Sequence, residues 1–337
     1  MLMSNINKKL REIFPCDLYL VGGAVRDYLL NKSPKDLDYT TASSPDFIEK
    51  SIRDNHIKPY LIGKKFGTIG MKLDGNYVEI TTFRAEKYKE NNRKPDVEFV
   101  TNIYADLSRR DFTINALAYS LQTEKILDFF EGKKNLDDKI IKSVNNPTIR
   151  FKEDPLRLLR ACRFASQLGF DIEEATLKSL NKLSYKILSI SKERWVAELD
   201  KLLLGDYVEK GLNYLMSSRL LNFIIPELSL QLNYNQNSKY HSLTLWEHTV
   251  KAVGLANNTD INVKWALLLH DIAKPFVRTD KIDRSNYIFH AKLGREIVLK
   301  TARYLNWSND RTKIVSNLVE NHLNEDCFLR YFDNKAK

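Results

Sequence analysis

A four-residue apolar run, Leu18–Val21, breaks on a glycine pair and continues as Gly22-Gly23-Ala24-Val25-Arg26-Asp27, with Asp36-Leu37-Asp38 close behind. A strand, a tight turn and a helix are the economical reading of the first part. Glycines at the strand end let backbone N–H groups approach phosphate oxygens with no Cβ in the way. Arg26 offers a planar fork to a phosphate. Asp36 and Asp38 alternate on one extended segment, so both project to one face. Two carboxylates there suit two Mg2+ ions beneath a nucleoside triphosphate. Taken singly, Gly-Gly is a turn and Asp-x-Asp a solvated loop; it is the spacing that joins them. Asp27 reads as a helix-start acid. Glu79, in the strand-like run 77–82, either completes a three-carboxylate cluster or is an ordinary surface strand residue.

The sequence around this motif predicts an α+β architecture. Residues 1–15 read as a helix with Ile6, Leu10 and Ile13 on one face. Short β-like runs at 18–21, 37–41, 67–73, 77–82, 97–100, 116–119 and 126–129 alternate with turns, as in a mixed sheet with flanking helices. Residues 85–96 are polar, carry Pro95 and read as a mobile loop. After Pro147 the spacing turns helical: Leu156, Leu159, Cys162, Phe164 and Leu168 share a helical pattern that Gly169 closes. A second boundary falls near 228–240, where Gln231 to Lys239 is polar.

The 337 residues are enough for two or three domains. The first fifteen lack the apolar core of a signal peptide, and no apolar run nears the length of a membrane span. Cys16, Cys162 and Cys327 are widely spaced, which fits a reduced cytoplasm better than a disulfide framework. A formal charge of +10 favours polyanionic partners such as nucleic acid, although a lysine-rich background would give the same sum.

Four stretches in order carry a resemblance: Gly22-Gly23-x-Val25-Arg26-Asp27 with Asp36-x-Asp38; Arg109-Arg110-Asp111-Phe112-Thr113-Ile114-Asn115-Ala116; Glu153-Asp154-Pro155-Leu156-Arg157-Leu158-Leu159-Arg160; and Glu193-Arg194-Trp195-x-x-Glu198-Leu199. Over roughly residues 18–205 the chain resembles the class II tRNA nucleotidyltransferase and bacterial poly(A) polymerase family. The resemblance implies a polymerase-β-like nucleotidyltransferase head over 1–145, a helical neck and body over 146–228, and addition of C and A from CTP and ATP to tRNA 3′ ends. It implies that Arg110 contacts the nucleotide phosphates and Asp111 the ribose hydroxyl, just ahead of Asn115, and that residues 85–98 form a flexible loop that helps switch from C to A. Physical sense supports Asp111, since a carboxylate accepts from a 2′-OH; a surface salt-bridge cluster is the plainer reading of Arg109-Arg110-Asp111.

Asp154 and Arg157, three apart, are expected on one helix face, with Arg160 and Arg163 continuing the row. An acceptor beside a planar donor matches cytosine and adenine. It opposes uracil and guanine, so one protein pair could select bases without a template. An ordinary helix N-terminus explains Asp154 as well, but not the arginines.

Five of six histidines lie between 241 and 322: His241, His248, His270, His290 and His322. Imidazoles plus a carboxylate suit Mn, Ni, Fe or Zn. The pattern over 229–337 resembles an HD-type phosphohydrolase domain, in which His248, His270 and Asp271 would be the candidate metal ligands and His290 and His322 match further ligand positions. A later aspartate is also expected, and Asp326 is poorly placed for it. The competing reading is a helical region that keeps these histidines as polar core. Beside CCA addition stand a partial CC- or A-adding enzyme, a poly(A) polymerase, an HD-type hydrolase of RNA-end phosphates, and a non-catalytic RNA-binding protein.

Overall fold

The computed structural model describes residues 4–34, 36–87, 96–237, 243–256, 260–282 and 284–324. Two compact units divide the chain, Met1–Asp154 and Pro155–Lys337. The first is α+β and the second is nearly all helical.

The first unit is built on a six-stranded mixed sheet. Its strands are β1 (Leu18–Val21), β2 (Leu37–Thr41), β3 (Thr68–Leu73), β4 (Asn76–Thr82), β7 (Leu117–Ser120) and β8 (Ile126–Asp128). They lie in the order β3-β4-β2-β1-β7-β8. Only β2 and β4 run parallel; the other neighbours are antiparallel. Alternation sets the faces: Leu18, Leu20, Leu37, Tyr39, Val78 and Ile80 are buried. α1 (Ser4–Ile13) buries Ile6, Leu10 and Ile13, the face its spacing predicts, and Asn7 accepts a 2.8 Å hydrogen bond from the Tyr39 hydroxyl. α2 (Gly23–Leu29) follows the glycine turn. α3 (Pro45–Asp54) starts from a Ser44 cap with proline in its first turn.

One expectation fails here. Residues 85–87 are not loop: β5 (Arg84–Lys87) pairs antiparallel with β6 (Asp96–Phe99), Arg84 opposite Phe99. Polarity marks the segment as irregular, but backbone pairing between two strands needs no apolar alternation in their sequence. The rest of the expected loop, 88–95, lies outside the described residues. Short helices α4 (Ile103–Ser108), α5 (Gly132–Asp137) and α6 (Pro147–Glu153) complete the unit.

In the second unit, α7 (Leu156–Leu168) ends on Gly169 at φ 74°, the left-handed cap its sequence predicts. Then follow α8 (Glu174–Leu183), α9 (Lys192–Leu203), α10 (Val208–Ser217), the short α11 (Leu221–Ile224) and α12 (Pro226–Ser229), α13 (Leu245–Leu255), α14 (Ile261–Leu269), the short α15 (Lys274–Val277), α16 (His290–Tyr304) and α17 (Asn309–Glu320). Trp195 and Trp265 are fully buried, and both satisfy the indole N–H, on the Ile187 carbonyl and the Asp200 carboxylate. The polar stretch after 230 buries Gln231 and Gln236. Gln236 donates to the Leu243 carbonyl and accepts from Lys274.

Candidate functional site

In the head, Gly22 turns the chain from β1 into α2 at φ 70°. Its N–H donates to the Leu117 carbonyl at 3.2 Å. A Cβ there would sit 2.8 Å from Nη1 of Arg110, so the position excludes side chains for two reasons, backbone and space. Arg26 donates from Nη1 to Asn115 Oδ1 (2.7 Å) and from Nε and Nη2 to Asp27 Oδ1 (2.8 and 2.6 Å). Asn115 in turn donates to Asp111 Oδ1 at 3.1 Å, and the Phe112 N–H caps the same oxygen at 2.8 Å. Arg26, Asn115 and Asp111 are thus one continuous chain of bonds, and Gly23 lies against it with the Arg26 guanidinium 3.5 Å from where its Cβ would be. Asp27 is not the helix-start acid the sequence suggested. It lies in the second turn of α2, whose first turn has no acid, and it holds the Arg26 fork.

Asp38 sits opposite Glu79 in the parallel β2–β4 register. Leu37, Tyr39, Val78 and Ile80 point into the core, which leaves Asp38 and Glu79 on the other face of the sheet. Asp36 precedes the strand with the same parity. Desolvation raises the Asp38 carboxyl above its ordinary value; Arg110 opposes the rise, and Glu79 and Asp36 add to it. Asp38 therefore feels two other acids and one guanidinium. That guanidinium is braced from behind by a residue the sequence reading missed. Asp106, fully buried, accepts from Arg109 Nε and Nη2 at 3.0 and 2.8 Å on Oδ1, and from Arg110 Nη2 at 3.4 Å on Oδ2. Burial would raise the Asp106 carboxyl, but Arg109 and Arg110 outweigh it and hold it low. The signal was present: an acid in a short helix, three and four residues before two arginines that follow its end.

Asp154 does not share a helix with Arg157. It ends α6 with extended backbone, φ −135° and ψ 97°, and α7 begins only at Leu156. The reason is Pro155, whose ring disfavours helical backbone in the residue before it. Arg157 and Arg163 are buried. Arg163 Nε pairs with Glu198 Oε2 at 2.9 Å and stacks on the Phe164 ring, its Cζ 4.1 Å from the centroid. Arg160 reaches the same buried Glu198 at 3.9 Å.

The second unit holds a cavity of about 510 Å³ lined by His248, His270, Asp271, Lys274, His290 and His322 among others. His248 comes from α13, His270 and Asp271 from the end of α14, His290 from the start of α16, and His322 from just past α17. Asp271 Oδ2 lies 3.0 Å from His270 Nε2, 3.4 Å from His248 Nε2 and 2.8 Å from Lys274 Nζ. Its Oδ1 lies 3.3 Å from His290 Nε2 and 3.7 Å from His322 Nε2. Burial would raise the Asp271 carboxyl; His270, with bonds from His248, His270 and His290, holds it well below the usual range. Two groups there, His248-His270-Asp271 and Asp271-His290-His322, could each hold a metal ion. Lys274, three residues after Asp271, is a pocket member the sequence reading did not name. His241 and Asp326 lie outside the described residues.

Among the described residues no helix is long and apolar enough to cross a membrane. Residues 18–142 match the poly A polymerase head domain, 169–232 the "Probable RNA and SrmB-binding site of polymerase A", and 239–327 the HD domain. The chain is 43% identical over 207 residues to the CCA-adding enzyme of Staphylococcus saprophyticus, covering 61% of this chain and 51% of that one. With the CCA-adding enzyme of Staphylococcus epidermidis it shares 38% over 229 residues, 68% of this chain and 56% of the other. It thus spans about half the length of the curated relatives it matches. Among solved structures, the Bacillus stearothermophilus CCA-adding enzyme in complex with CTP aligns at TM-score 0.67 and 26% identity, over 96% of this chain and 76% of the other. A tRNA nucleotidyltransferase complexed with a primer tRNA and an incoming ATP analog has the same fold, at TM-score 0.56 and 21% identity over 98% of each chain.

Proposed function

We propose that this chain, which matches the poly A polymerase head domain over residues 18–142, is a template-independent nucleotidyltransferase that adds C and A from CTP and ATP to tRNA 3′ ends in the cytoplasm. The carrying observation is the register that sets Asp38 beside Glu79, with Arg110 at the adjacent glycine turn. The acids are hard oxygen donors whose mutual repulsion a cation would relieve, so they fit Mg2+. Asp36 and Asp38, with Glu79, would hold two such ions, which supply charge neutralisation at the triphosphate and activation of the primer hydroxyl. The chain's own residues do the positioning. The Gly22-Gly23 turn, Arg26 and Arg110 take the phosphates, Asp111 and Asn115 the ribose, and Asp154 and Arg157 the base edge, with Arg160 and Arg163 as further nucleotide-binding residues.

The break at Pro155 changes the argument for base choice rather than removing it. An acceptor and a donor on two separate elements can meet one base edge as well as two on a single helix face, because the donor–acceptor match depends on the base and not on the helix. The regions acting would be a head over 1–145, a neck and body over 146–228 that holds RNA by shape and phosphates, and an HD-like region over 229–337.

Purified protein incubated with tRNAs ending before CCA, after C and after CC, with each NTP alone, tests this. C on the first two and A on the third is the expected pattern. A on every end would instead make it a poly(A) polymerase, and a single productive stage a partial enzyme. A second reading, phosphohydrolysis of RNA-end phosphates, rests on the histidine pocket and its candidate metal ligands His248, His270 and Asp271. Cleavage of a 2′,3′-cyclic phosphate that survives Asp36→Ala but not Asp271→Ala would support it.

A further inference from the structure

The acids of the head run on into two aromatic rings that the proposed chemistry does not use. Across the sheet, Asp38 lies opposite Glu79, and Glu79 lies opposite Gly70. Gly70 in turn exchanges both backbone hydrogen bonds with Tyr60, at 2.8 and 3.1 Å. Residues directly opposite one another share a face of the sheet. Tyr60, Gly70, Glu79 and Asp38 therefore form one row on the face that carries the acids. The row has a gap at Gly70, its one member without a side chain.

Tyr77 fills that gap. It stands two residues before Glu79 on β4, so both side chains leave the same face. The register sets Tyr77 opposite Lys72, and its ring reaches diagonally across the ladder to Gly70. A Cβ at Gly70 would collide with the Tyr77 hydroxyl and lie 2.8 Å from Cζ of the same ring. The hydroxyl thus takes the place of the missing side chain, directly across from Glu79, where opposed Cβ atoms stand about 4.5–5.5 Å apart. There it bonds the Glu79 carboxylate. A phenol keeps its proton at neutral pH, so Tyr77 donates and Glu79 accepts. The Tyr60 ring closes the outer side, its centroid 5.8 Å from that of Tyr77 at an interplanar angle of 50°.

We propose that Tyr77 is a positioning residue of the head's site: its hydroxyl, seated where Gly70 has no side chain, holds the Glu79 carboxylate beside Asp38. The inference deepens the nucleotidyl-transfer reading and rests on it. A glutamate on an open sheet face has long, free torsions that it must give up when it takes a ligand. Asp38 next to it also carries like charge, which turns a free carboxylate away. A donor that fixes Glu79 beforehand removes both costs. One carboxylate oxygen accepts from Tyr77 on the β3 side, which leaves the other for the Asp38 side. β1 and β4 flank β2, so Asp106 braces Arg110 at one flank of the acids and Tyr77 braces Glu79 at the other.

The test uses the full chain and two variants that reach the same bond differently. Tyr77→Phe removes only the hydroxyl. Gly70→Ala removes no group and evicts the hydroxyl; Gly70 has no positive φ, so alanine does not strain its backbone. Each variant should lower kcat for CTP incorporation into a tRNA lacking CCA about 10-fold, and leave KM for CTP within about twofold. Calorimetric titration with Ca2+ alone, a hard cation that suits the head's oxygens better than the imidazole pocket, should show binding weakened by a similar factor. A general loss of packing would not depend on Glu79, and this role must. In a Glu79→Gln background, Tyr77→Phe should therefore weaken Ca2+ binding no further. Parental kcat in Tyr77→Phe or in Gly70→Ala, or an undiminished loss of Ca2+ affinity in the Glu79→Gln background, overturns the role and leaves the nucleotidyl-transfer reading standing. A parent chain that incorporates no nucleotide overturns that reading and this role with it.

Discussion

The head and the histidine pocket both gather acids, and they treat them in opposite ways. On the head's sheet Asp38 and Glu79 lie on the face away from the core, with Asp36 just ahead of the strand, and burial, helped by the charges of Glu79 and Asp36 and opposed by Arg110, pushes the Asp38 carboxyl up. In the pocket the lone acid, Asp271, is buried, bonded on both oxygens and held low. The first arrangement stores repulsion that a bound cation relieves; the second is already satisfied by imidazoles and a lysine. The ionised Asp38 therefore weighs against the fold and the pocket's acid supports it. The donor sets differ too, oxygen in one and mostly nitrogen in the other, so the first would suit a hard cation and the second a borderline metal.

The largest expected effect is on catalysis in the head. Asp38→Ala should lower CTP incorporation by about 10³-fold or more, as expected for lost metal-borne charge stabilisation; steady-state labelling of a tRNA lacking CCA measures it, and residual turnover within tenfold of the parent would break the contrast. Next comes stability in the pocket. Asp271→Ala, unfolded by denaturant in a chelator, should cost about 3–5 kcal/mol, because it leaves Lys274 buried without its counter-charge. The sign with pH follows. Because folding depresses this carboxyl, its contribution is present above the ordinary carboxylate range and is lost as pH falls below that range.

A smaller effect tests the brace. Asp106→Asn should reduce incorporation about 10–100-fold, the scale of losing an outer partner that aims a working side chain, with most of the loss in the apparent affinity for nucleotide. The smallest effect sharpens the comparison most. Folding raises the Asp38 carboxyl, so its ionisation disfavours the fold as pH rises through the raised value. Asp38→Asn should therefore raise the melting temperature slightly at neutral pH in a chelator while abolishing incorporation. A lowered melting temperature would show that Asp38 is not under strain.

Much of the head could be read from the chain, because its signals are local. Strand alternation, the Gly22 turn and the parity of Asp36 and Asp38 each follow from neighbours within a few residues. The failures came where a local rule was overridden or left unused. Asp154 was assigned to a helix by counting three residues to Arg157, although Pro155 lay between them. Asp27 reads as a helix-start acid, although Arg26 beside it is the partner it bonds. The hairpin at Arg84–Lys87 has no apolar period to announce it. The histidine pocket lies at the other extreme: His248, His270, His290 and His322 come from four segments, and no spacing rule could have shown that Asp271 turns one oxygen to each pair.

The buried Asp106 does more than steady two arginines. The oxygen that receives Arg109 also accepts, at 3.3 Å, the backbone N–H of Arg84, the residue at the root of the β5–β6 hairpin. One side chain thus ties the base of that ribbon to the Arg110 guanidinium beside Asp38. Were Arg110 to grip a triphosphate as proposed above, a ribbon that leans toward or away from the sheet would pull on this tether, and the hold on the nucleotide would be geared to the posture of that ribbon.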